Sequence, residues 1–318
     1  MNDFALTQYH NDVRSVWDSV VQKSKNGNFL HLRDYMDYHA HRFDEQSIIV
    51  EKNGKPVAVF PCNRIEDRIF SHSGLTYGGL IYGNNLRAAE VLEIFDLLVE
   101  HYRMIGVSTL TYKAIPHIFH RYPAEEDLYA LFRLGARLVR RDISSVIQIE
   151  NRIKLSDSRK CTIRKAAKQG VEIREGEFFD VYYGLVSQVL AKFESQPVHS
   201  VQEMQLLKSR FPGNIRLFGA FKNEQLLAGT IIYDFGQVAH TQYLASSDEG
   251  KDIGALDYVL AHLLDNTFAD RRCFSFGIST EQKGQYLNDG LIFQKEGFGG
   301  RGVVHDFYEL DLFLGRIM

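Results

Sequence analysis

Apolar and polar positions alternate along this chain with two periods, and the switch between them sets out the elements. Near the N-terminus Val13, Val16, Trp17, Val20 and Val21 recur at helical spacing, which predicts a helix over about 9–25. A second helical stretch is expected over about 31–41. "SIIVEK" and "PVAVFPC" then read as strands, and the Asn53-Gly54 pair between them suits a hairpin turn because both residues tolerate positive φ. A Gly- and aromatic-rich segment follows, "IFSHSGLTYGGLIY", and then a strongly periodic helix over about 85–105. "VSTLTYKAI" is a strand, about 124–135 a helix, and "ISSVIQIE" a strand.

The second half repeats this order. "RLFGAFKNEQLLAGTIIYDF" is again a hairpin with a charged turn, "VAHTQYLAS" a strand, "GALDYVLAHLLDNTFADR" a periodic helix and "RCFSFGIS" a strand. The order and spacing match although identity is low, which suggests an internally duplicated unit. Simple α/β alternation would also produce such a pattern. The expected division is 1–150 and 151–318, each half an α/β domain with a mixed sheet.

Composition narrows the function classes. The chain has 318 residues, 45% hydrophobic and 24% charged, with a formal net charge of -3. Those are globular proportions, and the low net charge argues against a protein that coats nucleic acid over its whole surface. Cys62, Cys161 and Cys273 are far apart and form no CxxC or Cys/His cluster, so neither a disulfide framework nor a metal site is expected. The polar opening "MNDFALTQYHNDVRSVWDSV" lacks the apolar core of a signal peptide. No apolar run approaches the ~18 residues of a membrane span. The expectation is a soluble cytoplasmic protein.

Against this mild acidity, "SRKCTIRKAAKQGVEI" gathers Arg159, Lys160, Arg164, Lys165 and Lys168 without an acidic residue until Glu172. Ser156 and Asp157 supply helix-start signals and Gly170 a stop. Arg164 lies four residues after Lys160, so both share one helical face. Arg binds two phosphate oxygens through its planar fork, and Lys acts as a point charge. The patch suits an anion, and equally a solvated helix face. One basic helix with no groove-reading motif does not suggest DNA.

A basic helix of the form R-K-x-x-R-K-A-x-K-x-G-V-x-I, followed by hairpin, strand, helix and strand and closing on "GLIFQKEGFGG", resembles the Fem-like acyltransferases with two tandem GNAT-like domains. "SHSGLTYGGLIYG" and "YKAIPHIFHRYPAEEDLYALF" resemble the first domain of the GNAT-type branch associated with bacterial cell-envelope and polysaccharide synthesis. The resemblance implies transfer of an acyl or aminoacyl group to an amine with no metal, redox or tightly bound cofactor. The implied co-substrate is acyl-coenzyme A or aminoacyl-tRNA. The implied acceptor is a phosphorylated or nucleotide-linked amino sugar or peptidoglycan precursor. A related half-molecule pair would meet at a crevice, where the basic helix holds the phosphorylated reactant.

The candidate site follows from this pattern. The GNAT pyrophosphate loop R/Q-x-x-G-x-G/A corresponds to "SSDEGKDIGALDYVL". Gly250, Gly254 and Ala255 keep small residues, but the Arg/Gln is missing and Asp248, Glu249 and Asp252 are acidic where phosphate would lie. Asp252 is a candidate helix cap. Phe293, Lys295, Phe298 and Gly299 follow the Fem-like Phe-x-Lys and Phe-Gly pattern approximately, so Lys295 is a candidate for donor phosphate or carbonyl oxyanion, with Arg301 beside it. His72 has the pKa of a proton acceptor, and Ser73 and Tyr77 stand near it. The same segment also reads as a tight turn packing Tyr77 into the core. No GxSxG nucleophile motif is present, which favours direct attack by the amine. Tyr243 is a candidate cleft hydroxyl, Asp306 a second base, and Ser279, Glu281 and Lys283 an acceptor loop after a strand end. A non-catalytic nucleotide-sugar-binding protein is the reading from another class.

Overall fold

In the computed structural model, residues 3–192 and 196–314 are described. The chain forms two compact units, residues 1–142 with 304–318, and residues 143–303. The C-terminal strand therefore returns to the first unit.

The first unit begins with β1 (Phe4–Gln8), α1 (Arg14–Lys23) and α2 (Arg33–Met36). The α1 helix starts later than the periodicity suggests, because a short 3-10 turn at Asn11–Val13 precedes it. The stretch expected as one helix over 31–41 is α2 followed by 3-10 turns over Asp37–Arg42, since His39 leaves helical geometry at φ -127. Next come β2 (Asp44–Glu45), β3 (Ile48–Lys52), β4 (Lys55–Phe60), β5 (Asn63–Ile65), β6 (Arg68–Phe70) and β7 (Ile81–Tyr82). The hairpin turn holds Asn53 at φ 50 and Gly54 at φ 72, the left-handed pair that a two-residue turn requires. Then follow α3 (Ala88–Met104), β8 (Thr109–Lys113), α4 (Glu126–Arg133) and β9 (Arg137–Gln148). The α3 helix buries Val91, Ile94, Phe95, Leu98 and Tyr102, one stripe at helical spacing, against Val50, Phe60 and Tyr112 of the core. Strands β1, β3, β4 and β7 pair antiparallel in that order. A second group runs β2, β5, β6, β8, with β6 parallel to β8.

The second unit opens with the basic helix, α5 (Asp157–Lys168), capped by Ser156 as its sequence signals predict. Only Ala166 of this helix is fully buried. Then come β10 (Glu172–Glu175), α6 (Phe179–Ala191), α7 (Val201–Arg210), β11 (Ile215–Lys222), β12 (Gln225–Asp234) and β13 (Val238–Ser246). After these lie α8 (Asp248–Ile253), α9 (Ala255–His262), β14 (Cys273–Ile278), the small ladder of β15 (Thr280–Glu281) and β16 (Tyr286–Leu287), α10 (Asp289–Gly297) and β17 (Arg301–Asp311). The stretch expected as one helix over 254–271 is α9 followed by a wide π turn over Leu263–Thr267. The sheet of this unit runs β10, β11, β12, β13, β14, β9, antiparallel except for β13 beside β14. Strand β12 is buried from Leu226 to Asp234, so both of its faces are covered.

Setting aside α5, α8 and the short strands β2, β5, β6, β15 and β16, the two halves share one order: strand, two helices, a strand pair, a further strand, a helix, a strand, a helix and a closing strand. Each closing strand serves the other unit. From residue 143 onward β9 belongs to the second unit and pairs with β14, and β17 pairs with β8 in the first. The fold is a mixed α/β duplication, as the repeated sequence pattern leads one to expect.

Candidate functional site

In the second unit β13 and β14 run parallel but pair only from Val238–His240 against Cys273–Ser275. Beyond those residues β13 continues to Ser246 and β14 to Ile278 with no mutual register, so the two strands part. At the same point β13 carries a bulge. Ile231 faces Tyr243 and Ile232 faces Thr241, which leaves Gln242 as the extra residue outside the ladder. The hydroxyls of Thr241 and Ser279 are buried with no hydrogen-bond partner among the described residues.

Lys295 stands at the end of β14. It is only 4% exposed, and its Nζ donates to the carbonyls of Gly277 at 2.9 Å and Ile278 at 2.6 Å. Burial pushes its ammonium down to about 7. Asn288 caps α10 by accepting the Leu291 N–H, which fixes the helix that carries Lys295.

A pocket of about 430 Å³ adjoins the outer end of β13. Arg159 and Thr162 of α5, Leu244 and Ser246 of β13, Lys251 of α8 and Leu291 of α10 are among its lining residues. Arg159 binds Asp257 of α9 through Nη1 at 2.6 Å, and its guanidinium lies 5.6 Å from the Phe298 ring centre. The other cations of α5 divide. Lys160 pairs with Asp157 at 2.8 Å, and Lys165 donates to the Asp252 carbonyl at 2.6 Å. Arg164 and Lys168 are exposed.

The loop that aligns with a pyrophosphate cradle is built differently. Ser247, not Asp252, caps α8 by accepting the Gly250 N–H at 3.0 Å. A Cβ on Gly250 would lie 2.3 Å from the Leu227 carbonyl oxygen, so this glycine permits close packing of α8 on β12. Gly254 has φ +79, and a Cβ there would meet the Thr162 carbonyl at 2.8 Å, so it joins α8 to α9 under α5. Asp248 pairs with Lys192 at 2.8 Å and with Lys251 at 3.6 Å.

Tyr243, the residue after the bulge, meets His199 from the turn before α7. The His199 N–H donates to its hydroxyl at 3.2 Å, and His199 Nδ1 lies 2.8 Å from the same oxygen. Ser279 is held by main-chain bonds to Ile143 and Asn288. Glu281 is exposed and accepts from Asn288 Nδ2 at 2.7 Å, and Lys283 sits in the left-handed region at φ 55. Arg301 donates to its neighbour, the Gly300 carbonyl.

The remaining candidates lie in the first unit. His72 is 2% exposed at φ 55, with its ring 5.0 Å from Phe43 and 5.8 Å from His39. Burial, aided by the nearby His39 and Lys113 charges, holds its pKa down to about 3. Ser73 donates its N–H to Asn63 Oδ1. Tyr77 is buried, and its hydroxyl accepts from Asn28 Nδ2 at 3.1 Å. The segment 71–80 interrupts the strand that corresponds to β13, and Lys113 clamps it through Nζ bonds to the His72, Ser73 and Leu75 carbonyls. Asp306 accepts both fork nitrogens of Arg141 at 2.7 Å.

One stability consequence follows. His31, His72 and His305 are buried and held at about 4, 3 and 4, below the ~6.5 of an unfolded histidine. The unfolded chain therefore binds more protons between those values, and stability falls as pH drops from about 6.5 toward 4. Thermal melts should show this decline. His72→Asn, which suits positive φ, should make it shallower, and an unchanged slope would contradict the burial argument.

His199, Gln242, Asp257 and Lys113 escape a reading of the sequence. The Ser200-x-x-Glu203 capping box, present in the structure, is the one local signal that marks the turn holding His199. Among the described residues no group of three or more His, Cys, Asp or Glu is placed to hold a metal ion. No helix among them is long and apolar enough to cross a membrane.

No family model matches the chain, and no curated protein matches it in sequence. Solved structures do match in fold. FemX superposes with a TM-score of 0.68 at 11% identity, covering 96% of this chain and 97% of that one. L-PGS from Bacillus licheniformis gives 0.64 at 10%, covering 97% and 94%. A tandem GNAT protein from the clavulanic acid biosynthesis pathway gives 0.54 at 9%, covering 98% and 99%. The likeness is one of fold, and that fold is two tandem GNAT-like domains.

Proposed function

We propose that the protein is an N-acyltransferase whose second unit carries out the transfer. The observation that carries this reading is the parting of β13 from β14 beside the Gln242 bulge, with Lys295 at the strand end. A parted parallel pair gives an extended donor a slot through the sheet. The bulge frees main-chain polar groups there to meet a developing oxyanion. The acceptor amine attacks the donor carbonyl directly. The new C–N bond forms as the bond to the leaving sulfur or oxygen breaks, and one proton from nitrogen leaves with that group.

Acyl-coenzyme A is the first donor to test, and a phosphorylated or nucleotide-linked amino sugar or envelope precursor the first acceptor class. Aminoacyl-tRNA is a second donor with its own support. The start of α8 presents Asp248 and Glu249 where a coenzyme A pyrophosphate would lie, and like charges there oppose it. The resemblance of the sequence to the Fem-like acyltransferases, which implies aminoacyl-tRNA as the alternative co-substrate, agrees with this second donor. Exposed Arg164 and Lys168 would then hold donor phosphates.

The test is mass spectrometry of reactions containing the full chain, acetyl-coenzyme A or lysyl-tRNA, and glucosamine 6-phosphate or a nucleotide-linked muramyl peptide. An acylated amine supports the reading, and no product from any pairing rejects it. Arg164→Glu with Lys168→Glu should weaken donor binding at least about tenfold. For a tRNA donor the affinity should also fall steeply with salt. Its stability should stay within about 0.5 kcal/mol of wild type, since both residues are exposed surface. Equal donor affinity in this variant would remove α5 from the site.

A further inference from the structure

Beyond the donor slot, the second unit has a groove of about 600 Å³ between α6 and α7. Its walls include Asp180 and Tyr183 of α6, Glu203 of α7, and His199 and Gln196 from the connection between them. Among the described residues two carboxylates line it and no lysine or arginine does, so its field favours a cation over a phosphate. His199 is 5% exposed, deep in the groove, and its ring nitrogen meets the Tyr243 hydroxyl at 2.8 Å. Tyr243 stands behind His199 of the groove wall and follows the bulge residue Gln242 directly, so the His199–Tyr243 pair links the groove to the strand on which the acyl carbonyl is proposed to lie.

We infer that this groove receives the acceptor's ammonium group, and that Tyr243 and His199 remove its proton as a relay. The inference rests on the acyltransferase reading and gives its acceptor site a chemistry. The His199 main-chain N–H donates to the Tyr243 oxygen, and the relay uses the tautomer with the ring proton on Nε2, in which the Tyr243 hydroxyl donates to Nδ1 2.8 Å away. The ammonium passes a proton to that oxygen while the hydroxyl's own proton moves to Nδ1. The products are a neutral amine and an imidazolium. The amine then attacks the carbonyl carbon, and the imidazolium returns its proton to solvent. Asp180 and Glu203 hold the cation before transfer and stabilise the imidazolium after it. The groups that face Tyr243 include Tyr183 from α6, the Val198 main chain and His199 from the connection, and Glu203 from α7. The acceptor is therefore a primary amine that is charged at neutral pH, with any phosphate held outside this groove.

Two measurements on the full chain test this. In the first, n-butylamine is added to protein labelled with 15N-histidine, with n-butanol as the neutral control and His199→Gln to assign the resonance. The amine should shift the His199 ring signals and the alcohol should not. Asp180→Asn should reduce the response. No response to the amine, or an equal response to both, overturns the groove assignment. In the second, Tyr243→Phe and His199→Gln are assayed with whichever donor wild type uses. Each should lower the rate about 100-fold near pH 7. Its ratio to wild type should approach one near pH 10, where an amine of lysine-like pKa sheds its proton unaided. A loss that stays equal at every pH marks a structural role and overturns the relay. If wild type transfers no acyl group, the acyltransferase reading fails, and the resonance titration still decides the groove.

Discussion

Replacing Lys295 with Met lowers acyl transfer by roughly 100-fold or more, the scale on which a lost oxyanion or positioning contact acts. The side chain is buried, and its Nζ holds the Gly277 and Ile278 carbonyls, the last residues of β14, just beyond the point where the strands part. Methionine fills the same volume but donates nothing, so both carbonyls lose a partner at about 1–3 kcal/mol each. Stability and activity therefore need separate readouts. Lys295→Gln still offers an amide donor and should recover part of the urea midpoint while leaving transfer low. Recovery of both together would make Lys295 a strand clamp only. Its pKa near 7 adds a pH signature. Because the unfolded lysine titrates near 10.4, the unfolded state binds more protons between about 7 and 10.4, and stability rises with pH across that window. That rise should vanish in Lys295→Met.

Arg159→Ala costs stability on the order of 3–5 kcal/mol, because it strands a carboxylate in the interior. Asp257 is 5% exposed, and the Arg159 guanidinium is its partner at 2.6 Å. Arg159 also packs over Phe298, so alanine removes apolar contact as well. Arg159→Met with Asp257→Leu, which removes both charges, should lose far less. Urea unfolding of the two variants decides. If the single variant is as stable as wild type, Arg159 is a ligand cation and its pairing with Asp257 contributes little.

The helices and strands were legible where one local rule governs them. Strand β13 covers the same residues, Val238–Ser246, that the apolar run suggests, and α5 begins at its Ser-Asp signal and ends before Gly170. The Asn53-Gly54 turn follows from the φ values those residues tolerate. What the sequence hid depends on pairing at a distance. Tyr243 and His199 are 44 positions apart, and nothing local says that they touch. Lys295 looks like a surface lysine on a helix until carbonyls from 17 and 18 residues upstream enclose it. The basic helix reads as five cations, yet Asp257, Asp157 and the Asp252 carbonyl engage three of them. Missed edges such as β1 and β10 are short strands whose pattern is weak without the neighbour that pairs with them.

The central claim is that transfer takes place at the parted strands of the second unit. Hydrogen exchange with and without an unreactive donor analogue tests it most directly, using a coenzyme A thioether and a non-hydrolysable aminoacyl-RNA in turn. The account predicts slowed exchange confined to 241–256 and 276–295 with one of the two. Slowed exchange over 71–86 instead, with the second unit unaffected, would contradict it.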